Sequence, residues 1–298
     1  MTHQQVVEKF KEGKARRGSR IFAEGDNLYS FGTHFKLAVR RQSKDGNEWF
    51  LLNGDKYSNS TSAHQSITYS VFSGSPRVAF SAIRAAGIDP MECDLIDFIP
   101  DASRHIHSDE AGFDTFKNEM PFGAEYKEWK DYEGKITSKS FHRVGSALLR
   151  QGQKYYLCSM DEGSYFVSLL PHKVATVKKA FEALKPYEAT AAEANGQQVQ
   201  RQGEWFFIET SKPAAIKQKD FKSKYVLPSE DSSSNLHVAS KGVSFNEYHF
   251  VKGSIYHRDP ITLKSSGDHK TLRLEKGSVF VAVLNKAVKS WSASGRVD

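Results

Sequence analysis

The spacing of apolar positions sets the first expectations. Val6, Val7 and Phe10 recur at close to helical intervals, which predicts a short amphipathic helix over residues 4–14. Gly13 and Gly18 break it. Between Leu28 and Arg41, the residues Tyr29, Phe31, Phe35, Leu37 and Val39 mostly alternate with polar ones, as in a half-buried strand. Lys44-Asp45-Gly46-Asn47 predicts a hairpin turn, because Asp-Gly tolerates positive φ, and Trp49 to Leu52 is the return strand. Thr61 or Ser62 is placed to cap a helix from about Ala63 to Phe72. Pro76 opens a second helix through Ala86, closed by Gly87, and Leu95 to Ile99 reads as a short buried strand.

Residues 100–139 are irregular, acidic and aromatic, with a helix expected near Ala124 to Trp129. Regular patterning then resumes. Phe141 to Arg150 and Gln153 to Ser159 flank Gln151-Gly152 as a hairpin, and Tyr165 to Leu170 is a further strand. Val174, Val177, Ala180, Phe181 and Leu184 form a helical stripe that Lys185-Pro186 stops. A short helix over Ala189 to Ala194 and a strand pair across Gly203-Glu204 follow. Residues 211–235 are rich in Lys and Ser and read as loop. Strands return at Tyr248 to Tyr256, Leu272 to Leu274 and Val279 to Leu284.

This pattern predicts an α+β fold of mostly antiparallel sheets with a few short helices. It suggests two units: an N-terminal α+β unit over 1–99, an acidic connector or insertion over 100–138, and a β-rich unit over 139–298.

Charge changes the picture more than composition does. The 298 residues carry a formal net charge of +7. From Glu92 to Glu133 there are twelve acids against four bases, so the remainder is strongly basic. Two clusters supply much of that surplus: Lys9, Lys11, Lys14, Arg16, Arg17 and Arg20, then Lys212, Lys217, Lys219, Lys222 and Lys224. Such clusters attract DNA or RNA by releasing condensed counterions, or else form a solvated face. The acidic stretch would face a basic protein partner. With only Cys93 and Cys158, a disulfide scaffold and a four-cysteine zinc site are excluded, and a reducing cytoplasm is the expected setting. No apolar run is long enough to span a bilayer, so no membrane partner is expected.

Candidate chemistry is sparse. Ser and Thr residues from Ser58 to Ser62 at a helix start could hold a phosphate, with His64 one turn inside. His105 and His107 share one face of a strand, a spacing used by metal sites, and Asp109 or Glu110 is the candidate third ligand. His249 and His257 share a strand face about 26 Å apart, so each needs a partner from another strand, such as His237 or His269. Loops for nucleotide cofactors, zincin helices and the nucleophile elbow are absent, so no cofactor is expected.

Taken in order, Asn53-Gly54-Asp55-Lys56-Tyr57-Ser58, His142-Arg143, Tyr155-Tyr156-Leu157, Val177 to Pro186 and Arg201-Gln202-Gly203-Glu204-Trp205-Phe206-Phe207-Ile208 resemble an uncharacterised group of proteins encoded by bacteria, phages and plasmids. The resemblance covers about half the chain. It implies a phage or mobile-element origin and carries over no catalytic residue. The leading expectation is a nucleic-acid-associated accessory protein. The alternatives are a histidine-dependent hydrolase or phosphoryl-transfer enzyme, with His64, His105, His107, His249 and His257 as candidates, and a protein-binding adaptor.

Overall fold

The structure is a computed structural model and describes residues 1–43, 46–55, 57–119, 125–161, 164–228, 236–258, 271–285 and 289–293. It has the expected α+β architecture, and among the described residues its sheets are mostly antiparallel, with a two-residue parallel pairing of Leu52–Asn53 with Arg77–Val78. The chain forms two compact units: residues 1–160, 165–180 and the segment from 289 make the first, and 161–164 with 181–288 make the second.

In the first unit, helix α1 (His3–Lys11) precedes strands β1 (Ile21–Glu24), β2 (Asn27–Ser30), β3 (Lys36–Gln42) and β4 (Glu48–Asn53). Helix α2 (Asn59–Val71), strand β5 (Arg77–Val78) and helix α3 (Phe80–Ala85) follow. Strands β1 to β5 form one sheet in sequence order. The run Trp49-Phe50-Leu51-Leu52 is apolar throughout because β4 is covered on both faces. Phe50 and Leu52 pack with Val6, Val7 and Phe10 of α1, while Trp49 and Leu51 pack with Phe80 and Ile83 of α3. Burial of each such side chain contributes about 1.5–3 kcal/mol.

Strand β6 (Asp94–Ile99) leads to β7 (Ala102–His107), a short 3-10 helix at Phe116–Glu119, β8 (Glu125–Lys130) and β9 (Ile136–Arg143). Strands β10 (Ser146–Gln151), β11 (Lys154–Asp161) and β12 (Ser164–Leu169) come next. The second sheet has the order β20-β12-β11-β10-β6, where β20 (Lys289–Ala293) is the last strand of the chain. Pairing of β6 with β10 carries one sheet across the expected boundary at 99 and 139, and residues 139–160 belong with the first unit. The expected connector is a three-stranded sheet, β7-β9-β8, closed over Ile106, Phe116 and Phe141. The helix expected at 124–129 is strand β8: Tyr126 packs inward and Trp129 lies on the other face, a period of two rather than 3.6.

Helix α4 (Val177–Leu184) runs from the first unit into the second, and helix α5 (Tyr187–Ala194) opens the second unit's fold. Strands β13 (Val199–Gln202), β14 (Trp205–Thr210), β15 (Lys222–Val226), β16 (Leu236–Phe245), β17 (Tyr248–Arg258), β18 (Leu272–Arg273) and β19 (Val279–Leu284) form a sheet of order β13-β14-β19-β17-β16-β15, with β18 beside β17. Here too the aromatic run alternates: Phe206 and Ile208 meet Ala189 and Ala192 of α5, while Trp205 and Phe207 face Ala239, Val251 and Phe280. The expected Lys/Ser-rich loop contains β15, an edge strand. Residues 229–235 of that loop and His269 lie outside the described residues.

Candidate functional site

The N-terminal third of the first unit gathers cations and aromatic rings in one place. Helix α1 starts with a capping box, in which Thr2 accepts from the Gln5 N–H and the Gln5 side chain accepts from the Thr2 N–H. This fixes His3 at the first turn. The strand expected over 28–41 is broken after Ser30, because Phe31 adopts φ 60 and turns the chain. A left-handed backbone is uncommon for a bulky residue. It is held by a hydrogen bond from the Phe31 N–H to the Arg20 carbonyl, 2.6 Å. The result is an aromatic side chain left 46% exposed.

Around that ring the contacts are specific. The Arg20 guanidinium lies over Phe31, 5.6 Å from its centroid, and His64 packs 5.1 Å away from below. The His3 ring meets His64 edge-on at 4.7 Å. Ser30 Oγ and His64 Nδ1 share a hydrogen bond of 2.8 Å, and both residues are buried. Nearby, Arg17 covers Phe22 at 5.1 Å, and Phe22 stacks on Tyr29.

His64 is inside because the inner stripe of α2 is polar: Thr61, His64, Gln65 and Thr68 are buried there. Thr68 donates back to the His64 carbonyl within the helix and Thr61 meets the Ser58 hydroxyl, while other bonds reach the adjoining chain. Gln65 donates to the carbonyls of Asn53 and Asp55, and the Tyr69 hydroxyl donates to Asn53. The cap is Ser58, whose side chain accepts from the Thr61 N–H, rather than Thr61 or Ser62. Burial, with His3 and Arg20 nearby, pulls the His64 pKa below its ordinary value, so the ring is neutral at pH 7.

The six N-terminal bases divide by their partners. Lys9 and Lys14 both pair with Glu12, and these bonds hold its carboxyl down to about 2. Lys11 donates to the Val71 carbonyl at the C-terminus of α2. Among the described residues, the Arg16 side chain bonds its neighbour Ala15, and Arg17 and Arg20 lie on aromatic rings without a carboxylate partner. Glu12 offsets one of the two charges it holds, and Arg16, Arg17 and Arg20 form the face with no ion pair among the described residues.

The second basic cluster belongs to the second unit. Lys219 ends a short 3-10 turn (Gln218–Asp220), whose Asp220 carboxylate accepts from the Lys217 N–H. Lys222 and Lys224 are exposed on β15, at the sheet edge, with Lys224 at φ 53. Lysines and an irregular backbone on an edge strand discourage pairing with another chain, which gives them a structural role.

The remaining histidines fall into separate places. His105 and His107 are exposed on one face of β7, with rings 4.7 Å apart. Asp109 is exposed and bonds neither of them, and no three metal-ligating side chains gather among the described residues. Strand β17 sends His249 and His257 to different partners. The Tyr225 hydroxyl lies 2.6 Å from His249 Nδ1, and burial lowers the His249 pKa. His257 is buried against its cross-strand neighbour His237, with ring centroids 3.9 Å apart. The Glu204 carboxylate lies 3.5 Å from His237.

Chemically, the Ser30–His64 pair has the elements of a nucleophile and its base. However, Ser30 is only 1% exposed, and no carboxylate orients His64. Arg20, His3 and Phe31 instead present cation and ring to the surface. Sequence reasoning named Arg20 and His64 but missed Phe31 and Ser30, since nothing in the alternating pattern marks where a strand breaks. No helix among the described residues is long and apolar enough to cross a membrane. No family model, curated protein or solved structure matches this chain.

Proposed function

We propose that this chain binds nucleic acid, single strands in preference to duplex, through the Arg16–Arg17–Arg20 face of its first unit. One observation carries the reading: the Arg20 guanidinium lies over the exposed ring of Phe31, which a left-handed backbone holds outward. Arg20 would swing from Phe31 to a phosphate and let an unstacked base take its place on the ring, while Arg17 and Arg16 meet further phosphates. Base–aromatic stacking is indifferent to sequence, because every base has a π-face, while arginines supply charge. His3 and His64 sit beside the same ring and extend the polar surface toward α2. Lys9, Lys11 and Lys14 have partners within the protein and contribute less than the sequence expectation gave them.

The test is fluorescence anisotropy with a labelled oligo-dT strand and a duplex of equal length, across a salt series. The strand should bind more tightly, with a log–log salt slope of roughly −0.7 for each phosphate contacted. Phe31→Ala should weaken strand binding about tenfold, within the roughly 1–3 kcal/mol of one stacked base, and leave the slope unchanged. A triple Arg16→Glu, Arg17→Glu, Arg20→Glu variant should flatten the slope. Absence of binding at low salt, or binding untouched by both variants, overturns the proposal.

A further inference from the structure

The outer face of the β7-β9-β8 sheet is not used by the reading above. Strand alternation puts Ser103, His105 and His107 on that face of β7. Register adds Ser138 and Ser140 of β9 opposite the two histidines, and Trp129 of β8 opposite Ser138. The serines are short, so they leave the imidazoles uncovered. Trp129 stands 5.3 Å from His105, edge to face, and is 44% exposed.

The ring spacing is informative. A ring nitrogen binds a transition metal at about 2.0 Å, which puts the ion about 3.2 Å from the imidazole centroid. Two such ligands at a right angle have centroids about 4.5 Å apart, and at a tetrahedral angle about 5.2 Å. The observed 4.7 Å lies nearer the right-angled value. A right angle is the cis angle of tetragonal and octahedral ions and excludes tetrahedral Zn²⁺, and among such divalent ions Cu²⁺ has the highest affinity for nitrogen ligands. Spacing alone does not single out this pair, since His3 and His64 are also 4.7 Å apart, but there His64 is buried and its Nδ1 is engaged by Ser30, whereas His105 and His107 are both exposed. A third close pair fails the comparison. His237 and His257 are 3.9 Å apart, and His257 Nε2 lies 2.8 and 3.2 Å from both ring nitrogens of His237. It therefore aims at the ring itself, and the in-plane lone pairs do not meet at one point.

The face carries Lys127 of β8, opposite Ser140 in the row of His105, but is otherwise set among acids. It lies within the stretch of twelve acids against four bases, and Asp109 and Glu110 follow His107 directly. Glu110 accepts from the His107 N–H, which holds the strand end in place. We infer that His105 and His107 form a two-nitrogen binding site for a tetragonal divalent transition-metal ion, Cu²⁺ being the best fit, with water completing the coordination and Trp129 at its side.

The experiment is a Cu²⁺ titration of the full chain, followed by tryptophan fluorescence and by calorimetry. All proteins carry His3→Gln, because His3 and His64 share the same 4.7 Å ring spacing and would offer a competing pair. The first equivalent should quench fluorescence, and Trp129→Phe should remove most of that quenching. His105→Gln and His107→Gln should each weaken binding tenfold or more. The paramagnetic resonance spectrum of the one-to-one complex should show two imidazole nitrogens, a readout independent of how the variants fold. Unchanged affinity in the double histidine variant, or quenching that survives Trp129→Phe, would overturn the inference, as would failure to bind Cu²⁺.

Discussion

Ser30 and His64 come from opposite sides of the first unit's core, one ending β2 and the other on the inner stripe of α2, and meet in a 2.8 Å hydrogen bond. The bond ties the helix to the point where the strand breaks, directly beneath Phe31. Removing the hydroxyl leaves a buried ring nitrogen without a partner. Ser30→Ala should therefore cost about 1–3 kcal/mol in urea unfolding. A cost near zero would show that the bond adds nothing to the fold.

Acid should weaken the protein through its histidines. His64 and His249 both titrate below 6.5 in the folded state, so on acidification the unfolded chain takes up protons first. Stability is intact above pH 6.5 and should fall as pH drops below it, toward the lowered folded values. Melting temperatures across this range measure the effect. His64→Gln should shrink the pH dependence, and an unchanged profile would count against His64 as a source.

Asp55 joins two elements. Its carboxylate accepts from both the N–H and the hydroxyl of Ser81 in α3, at 2.9 and 2.6 Å, while burial raises its pKa. Asp55→Ala leaves the Ser81 donors unpaired and should cost about 2–3 kcal/mol. Ser81→Ala keeps the backbone bond and should cost less. Chemical denaturation of the two variants checks the order.

Phe31 permits a separation of strain from contact. Phe31→Ala and Phe31→Gly both lose the ring, but only glycine adopts φ 60 without a Cβ penalty. The glycine variant should be more stable than the alanine variant by about 1 kcal/mol. Equal stabilities would mean that the turn relaxes when the ring is gone.

In the second unit, Gly242 makes room for a neighbour. A Cβ at that position would lie 2.5 Å from the Tyr225 ring, which rests on the glycine across the β15–β16 pair. Gly242→Val should displace Tyr225 from His249 and destabilise the unit by about 2 kcal/mol, within the usual range for overpacking. Thermal unfolding followed by tyrosine fluorescence would report both.

Much of the fold was legible along the chain. The stripe at Val6, Val7 and Phe10 has the helical period, and the hairpins at Gly46, Gly152 and Gly203 rest on turn residues; both signals are local. Strand β8 was not legible, because a short run such as Glu125 to Lys130 satisfies either period until its pairing with β9 is known. Strands β15 and β20 were missed, since a polar edge strand looks like a loop without its neighbour, and so was the interior strand β16, whose His237, Ser240, Lys241 and Ser244 interrupt its apolar pattern.

The candidate sites show the same division. Sequence alone determined that His105 and His107 share a face, because alternation is a property of the strand itself. It also determined where the basic residues cluster. Only the tertiary structure decided that Lys9 and Lys14 share the carboxylate of Glu12 while Arg20 rests on Phe31. It alone brought Ser30 to His64 across 34 residues, and gave His249 and His257 separate partners. The physical reason is range. Periodicity and turn chemistry act over a few residues, whereas ion pairs, ring contacts and buried hydrogen bonds depend on which distant segments the hydrophobic core packs together.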